Sequence, residues 1–292
     1  MKTSLHRIIA KDGLGLQGIL YEPEQKTDTV LAHVHGMGGN FYENKFLDAL
    51  AETLTDNGIA FCPFNNRGNG FITEFVKSVD DKKDYIRIGN SFEKFEDSLI
   101  DIDAHIGFLE EQGYKNIHLS GHSLGAPKVA YFSSQPDRRK LESVIFISPS
   151  DMLGLARENK QRFGDDIKAA QEMVDNGRGG EIMQKQVWDL YPISANTYID
   201  LFGDKSLSAI FNFHNIDLGF EVLSKIKIPV FTSMGKQDDV LVIPIEDIMK
   251  IIKEETNSSP KVEHKIIGDA GHDYFGYEQN LADAILGWIK EN

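Results

Sequence analysis

The chain has a single cysteine, Cys62, in 292 residues. An internal disulfide is therefore excluded. With no apolar leader behind Met1-Lys2-Thr3, this points to a reducing, cytoplasmic setting. Positive charge is also scarce. Lys and Arg number 31 against 45 Asp and Glu, a formal net charge of −14. So acidic a surface repels phosphate backbones and anionic headgroups, which argues against nucleic-acid and membrane partners. No run of about 20 apolar residues occurs, so no transmembrane helix is expected. Repeats and low-complexity tracts are missing too. What remains is long enough to bury a sizeable core.

Short apolar runs alternate with helical periodicity. Leu5 to Ala10 and Leu16 to Tyr21, around Lys11-Asp12-Gly13, read as an antiparallel pair at a sheet edge. Further strands are expected at Thr29 to Val34, Ile59 to Phe64, Asn116 to Leu119, Ser143 to Ile147, Ile228 to Thr232 and Val262 to Ile267. Helices are expected from Phe46 to a stop at Gly58, from Phe92 to about Gln112, over Ala126 to Ser133, over Ile245 to Ile252, and near Leu281 to Ile289. This alternation predicts an α/β fold, a mostly parallel sheet covered by helices on both faces. Ligands of such sheets bind beyond the carboxyl ends of the strands. Met152 to Lys225 breaks the rhythm. It is polar, partly helical and rich in aromatics, and it reads as an inserted lid (152–225) on a core of 1–151 and 226–292. Those aromatics suit either a substrate pocket or the lid's own small core.

Ser120-Gly121-His122-Ser123-Leu124-Gly125-Ala126 carries a Gly-x-Ser-x-Gly pentapeptide between a strand and a helix. A serine on such a hinge, with a glycine on each side, presents its hydroxyl above the sheet edge as a nucleophile. A bare serine hydroxyl is a poor nucleophile near neutral pH and needs a base. His272, in Gly268-Asp269-Ala270-Gly271-His272-Asp273 after the last strand, is the expected base. Asp238, in Met234-Gly235-Lys236-Gln237-Asp238-Asp239, is the expected acid. Asp239 is its immediate rival, and Asp151 a more distant one. His35-Gly36-Met37-Gly38-Gly39 can turn the Met37 N–H toward an oxyanion, alongside the N–H of Leu124. His33 and His35, two apart on a strand, also suit a metal, but no acidic or cysteine partner stands nearby, so neither a metal nor another cofactor is expected. His122 is expected to pack beneath the hinge. Arg67 reads as a loop brace paired with a carboxylate rather than a substrate clamp.

With its His35-Gly36 turn, Gly121 to Gly125 hinge, Gly235 to Asp238 turn and Gly271-His272 loop in that order, the chain resembles the α/β-hydrolase superfamily. Asn65-Asn66-Arg67-Gly68-Asn69-Gly70 departs from the Asp-x-Arg-Gly-His-Gly of a microbial esterase branch. Together with Ser148-Pro149-Ser150-Asp151 and Tyr191-Pro192-Ile193-Ser194, it is more similar to a group that includes siderophore esterase-like proteins. The residues and the resemblance together imply a serine hydrolase acting on a small-molecule ester through an acyl-enzyme. Thioesterase, amidase and acyltransferase are readings of the same triad. A non-catalytic ligand-binding protein on this fold is the reading from another class.

Overall fold

A computed structural model describes residues 1–79 and 82–292. The apolar runs become strands wherever a parallel neighbour buries both of their faces. The chain opens with β1 (Lys2–Ile9), β2 (Gly15–Glu22), β3 (Thr29–Val34), α1 (Phe46–Asp56) and β4 (Ala60–Phe64). It continues through β5 (Thr73–Val79), β6 (Lys82–Ile88), α2 (Ser98–Glu111), β7 (Asn116–His122), α3 (Gly125–Ser134) and β8 (Ser143–Ile147). Four helices follow: α4 (Met152–Arg157), α5 (Lys160–Asp175), α6 (Ala195–Phe202) and α7 (Glu221–Ser224). The last elements are β9 (Val230–Gly235), α8 (Ile245–Glu255), β10 (Val262–Ile267) and α9 (Glu278–Glu291).

Eight strands form one sheet in the order β1-β2-β4-β3-β7-β8-β9-β10. The six strands from β4 to β10 in that order are parallel, and β2 runs antiparallel to both β1 and β4. One face packs on α1 and α9 through residues such as Phe46, Leu50, Leu281 and Trp288. The other packs on α2, α3 and α8 through Ile102, Ile106, Val129, Ile248 and Ile252. β3, β4, β7 and β8 are buried on both faces, which is why they read as continuous apolar runs rather than alternating ones. The expected glycine stops carry the two backbone bonds that close a helix. Gly58 N–H donates to Thr55 O and Ile59 N–H to Leu54 O, and Gly113 and Tyr114 repeat the pattern on Glu110 and Leu109.

Two features differ from the sequence expectation. The helix expected from Phe92 begins only at Ser98, after a short 3-10 turn at Phe95–Asp97. The Phe95 N–H is held by Asp200 Oδ2 at 2.6 Å, a tertiary partner in place of a helical one. The β5–β6 hairpin forms its own two-stranded sheet and was not expected. Its apolar residues are few, and Phe75, Ile86 and Ile88 rest on the small cluster around Leu14 and Leu16.

Most aromatics between β8 and β9 join the main core instead of forming a small core of their own. Tyr198, Phe202, Phe211, Phe213 and Phe220 are buried in the main core cluster, whereas Tyr191 reaches a cavity at the carboxyl edge of the sheet. Among the described residues no helix is long and apolar enough to cross a membrane.

Candidate active site

β7 ends in a turn that most side chains would not tolerate. Ser123 has φ +55°, in the left-handed region that non-glycine residues rarely occupy. Its N–H is tied to Ile147 O of the neighbouring strand at 3.0 Å. The two flanking glycines are demanded by close backbone approach. A Cβ on Gly121 would collide with Gly125 O, and one on Gly125 would collide with Val34 O and His35 O. β7, the turn and the start of α3 are thus wedged against the end of β3, and Ser123 is lifted out of the sheet edge. We expect Gly125→Ala to lose about 1–3 kcal/mol of stability through overpacking, with a fall in turnover at temperatures where it is still folded. Thermal unfolding beside an ester assay checks this.

His272 and Ser123 line the same cavity of about 390 Å³ at the carboxyl edge of the sheet. His272 Nδ1 donates to Asp238 Oδ1 at 2.9 Å, and the Val240 N–H donates to the same oxygen at 3.0 Å. Asp238 is buried and Asp239, one residue on, is exposed. Burial opposes charge on both members of the pair, but their mutual attraction outweighs it. The Asp238 carboxyl is held below its usual range, and His272 is raised above 6.5 by Asp238 first and by Asp273 and Asp239 after it. Asp151, the distant rival, is engaged elsewhere. It caps α4 through Gly154 N–H and accepts from His214 Nδ1 at 2.7 Å.

The His35-Gly36 turn abuts the serine, since a Cβ on Gly36 would lie 2.9 Å from Ser123 Cβ. His35 braces that turn. Its Nδ1–H donates to Gly36 O at 2.8 Å, and its Nε2 accepts from the Asn66 N–H at 3.2 Å. Burial, and then Lys128, push its pKa down to about 3, so it stays neutral. His33 Nδ1 is bonded to Ser120 Oγ at 2.9 Å. Each imidazole is thus tied by a hydrogen bond to a neighbouring part of the edge. Among the described residues, neither the Met37 nor the Leu124 N–H donates to a protein acceptor.

His122 lies under the site. Its Nε2–H donates to His272 O at 3.0 Å, and its ring packs on Phe46. Burial and the neighbouring His272 push its pKa down to about 4, so it fixes the His272 backbone as a neutral donor. Arg67 is a brace. Its guanidinium meets Asp101 at 2.7 Å, Asp97 at 3.0 Å and Asp12 at 3.2 Å. Cys62 is buried.

Two contributions escape a sequence reading. Ser150 Oγ lies 3.2 Å from Ser123 Oγ and is buried. Tyr274 O–H reaches Ser233 O at 3.0 Å while accepting from Ser148 Oγ, and so joins the last loop to the ends of β8 and β9. Ser150 stood in the chain only as part of Ser-Pro-Ser-Asp, and nothing local there signals a contact with a turn 27 residues away.

These features, a parallel sheet with a strained serine on a strand-to-helix turn and a His–Asp pair in the same cavity, are those of the serine hydrolases. The chain has the α/β-hydrolase fold, and the proteins it resembles within that fold are serine hydrolases. A family model, Hydrolase_4 ("Serine aminopeptidase, S33"), matches residues 25–169, which run from β3 into α5 and so include the His35-Gly36 turn and the Ser123 turn. Among solved structures, the siderophore hydrolase EstB from Aspergillus fumigatus superposes with TM-score 0.72 at 16% identity, over 99% of this chain and 98% of that one. Est1E from Butyrivibrio proteoclasticus, with ferulic acid bound, gives 0.67 at 19% identity over 97% and 98%. The Pyrococcus furiosus esterase Pf2001 gives 0.64 at 15% identity over 99% and 91%. At such identities the likeness speaks for the fold. No curated protein matches the chain in sequence.

Proposed function

We propose that the protein hydrolyses a carboxylic ester of a small or medium-sized substrate through an acyl-enzyme. The observation that carries this reading is Ser123, strained into the left-handed region between two sterically required glycines and facing the same cavity as His272, whose Nδ1 is bonded to Asp238. Ser123 Oγ attacks the ester carbonyl and passes its proton to His272 Nε2 as it exchanges its Ser150 partner for the imidazole. The amides of Met37 and Leu124 take up the oxyanion. The C–O bond breaks, and the alcohol leaves with the proton from His272. Water then attacks the acyl-enzyme by the same route, releasing the acid and restoring Ser123. Asp238 fixes the Nδ1–H tautomer and stabilises the imidazolium. Residues 152–225 act as a lid on a core of 1–151 and 226–292, with Leu190 and Tyr191 closing one wall of the cavity. The chemistry calls for no cofactor, and the lone cysteine suits a cytoplasmic setting.

The pH profile of kcat/KM for a neutral ester tests this. His272 must be unprotonated to accept the proton, so the rate rises with pH as the imidazolium is lost. Because its pKa is raised, the acidic limb should have an apparent pKa above 6.5. A profile flat from pH 5 to pH 8 contradicts a role for His272 as base.

A further inference from the structure

The mouth of the cavity combines two features that are each costly alone. The first is exposed apolar surface. Phe275 is 64% exposed, Leu190 53% and Phe71 41%, and all three line the cavity beside Ser123 together with Tyr191. Phe71 and Tyr191 stand edge to face with ring centroids 5.6 Å apart. Large side chains left in water around a pocket mark a surface meant to be covered. The second feature is uncompensated negative charge. Glu43 and Asp273 line the same cavity, and Asp239 stands beside His272. Their hydrogen bonds are to neutral amides, Asn40 Nδ2 to Glu43 at 3.1 Å and Asn44 Nδ2 to Asp273 at 2.8 Å. Among the described residues, none of the three carboxylates forms an ion pair with a lysine or arginine. Among the described residues, no lysine or arginine lines the cavity. Lys45 reaches only the rim, with Nζ 6.0 Å from the Phe275 ring centroid.

The Tyr191 phenol reports the resulting field. Burial raises its pKa first, and Asp273, Glu43 and Asp239 raise it further. Three carboxylates therefore act on one aromatic ring in the wall of the pocket. Aromatic faces flanked by carboxylates are the arrangement that holds alkylammonium groups. The ring quadrupole and the carboxylate charge attract the same cation, and the apolar wall accepts its methyl or methylene groups. A carboxylate or phosphate in the same place meets repulsion from every side.

Resting on the ester-hydrolase reading, we propose that the substrate of this pocket is a carboxylic ester carrying an alkylammonium group, on its acyl or its alcohol portion, and no carboxylate. Glu43 and Asp273 select it, with Phe71, Tyr191 and Phe275 as its apolar bed.

Two matched pairs of esters test the proposal. Butyrylcholine is compared with 3,3-dimethylbutyl butyrate. The para-nitrophenyl ester of 4-trimethylammoniobutanoate is compared with that of 5,5-dimethylhexanoate. In each pair the shapes agree and only the charge differs. In at least one pair, kcat/KM should favour the cation on the order of tenfold at about 10 mM salt, and the preference should shrink at about 0.5 M as screening shortens the reach of the carboxylates. The same ratio should fall in the Glu43→Gln, Asp273→Asn double variant. Because that variant can fold poorly, inhibition of the wild-type protein is read as well. The alcohol choline should inhibit more strongly than 3,3-dimethylbutanol.

Both pairs lying within twofold, with choline and its neutral analogue inhibiting alike, overturns the proposal. If the neutral esters are nonetheless turned over, the hydrolase reading survives that failure. If no ester is cleaved and a fluorophosphonate leaves Ser123 unlabelled, the hydrolase reading itself falls and takes this proposal with it.

Discussion

Ser123→Ala is expected to lose about 10⁶ in kcat toward an activated ester, the scale seen when the nucleophile of such a triad is removed. The loss should be nearly complete because nothing else in the cavity can form the acyl-enzyme. Ser150 Oγ lies 3.2 Å from Ser123 Oγ, but it is buried, and His272 shares its cavity with Ser123 and not with Ser150. The variant should fold with stability close to the parent's, since Ala fits the same turn and removes only one hydroxyl contact. A single-turnover assay and a thermal melt separate the two effects. Retention of more than about a hundredth of the activity in a folded variant contradicts Ser123 as nucleophile.

Asp238→Ala is expected to cost about 10⁴, whereas Asp239→Ala should stay within roughly threefold, because only the residue bonded to Nδ1 both sets the tautomer and stabilises the imidazolium. The two neighbours differ in burial and in partner. Asp238 Oδ1 accepts from His272 Nδ1 and from the Val240 N–H, while Asp239 is exposed. Asp238→Asn then separates charge from geometry. The Val240 N–H keeps Oδ1 as the acceptor, so the Nδ1–H tautomer of His272 persists and only the charge is lost. Its activity should fall less than that of the alanine variant. Its acidic limb should move down, because the group that most raises His272 has become neutral. Steady-state kinetics across pH on the three variants measures this. Equal losses at positions 238 and 239 contradict the assignment.

The elbow was legible because everything that makes it is local. Two glycines and a serine within five residues, after an apolar run and before a helix, describe a single tight turn. The order of Ser123, Asp238 and His272 was legible because parallel topology brings successive loops to one edge. The choice between Asp238 and Asp239 was not, since adjacent turn residues differ only in which one the fold buries. Arg67 was legible as a brace, though its three partners, at positions 12, 97 and 101, were not. The β5–β6 hairpin escaped because a two-stranded ribbon that rests one face on a small cluster needs little apolar content, and Lys77, Lys82 and Lys83 mask its alternation. The start of α2 was misplaced because Asp200, about 100 residues downstream, takes the amide that would have opened another helical turn. Ser150 and the aromatic mouth arise from contacts between loops that only the folded sheet brings together.

The most direct measurement is the stoichiometry and site of reaction with a fluorophosphonate. An oxyanion hole and an activated serine should give one adduct per chain, mapped by peptide mass to Ser123, and labelling should slow below the pH at which His272 gains its proton. No adduct on the folded protein, or an adduct at a different residue, contradicts the account at its root.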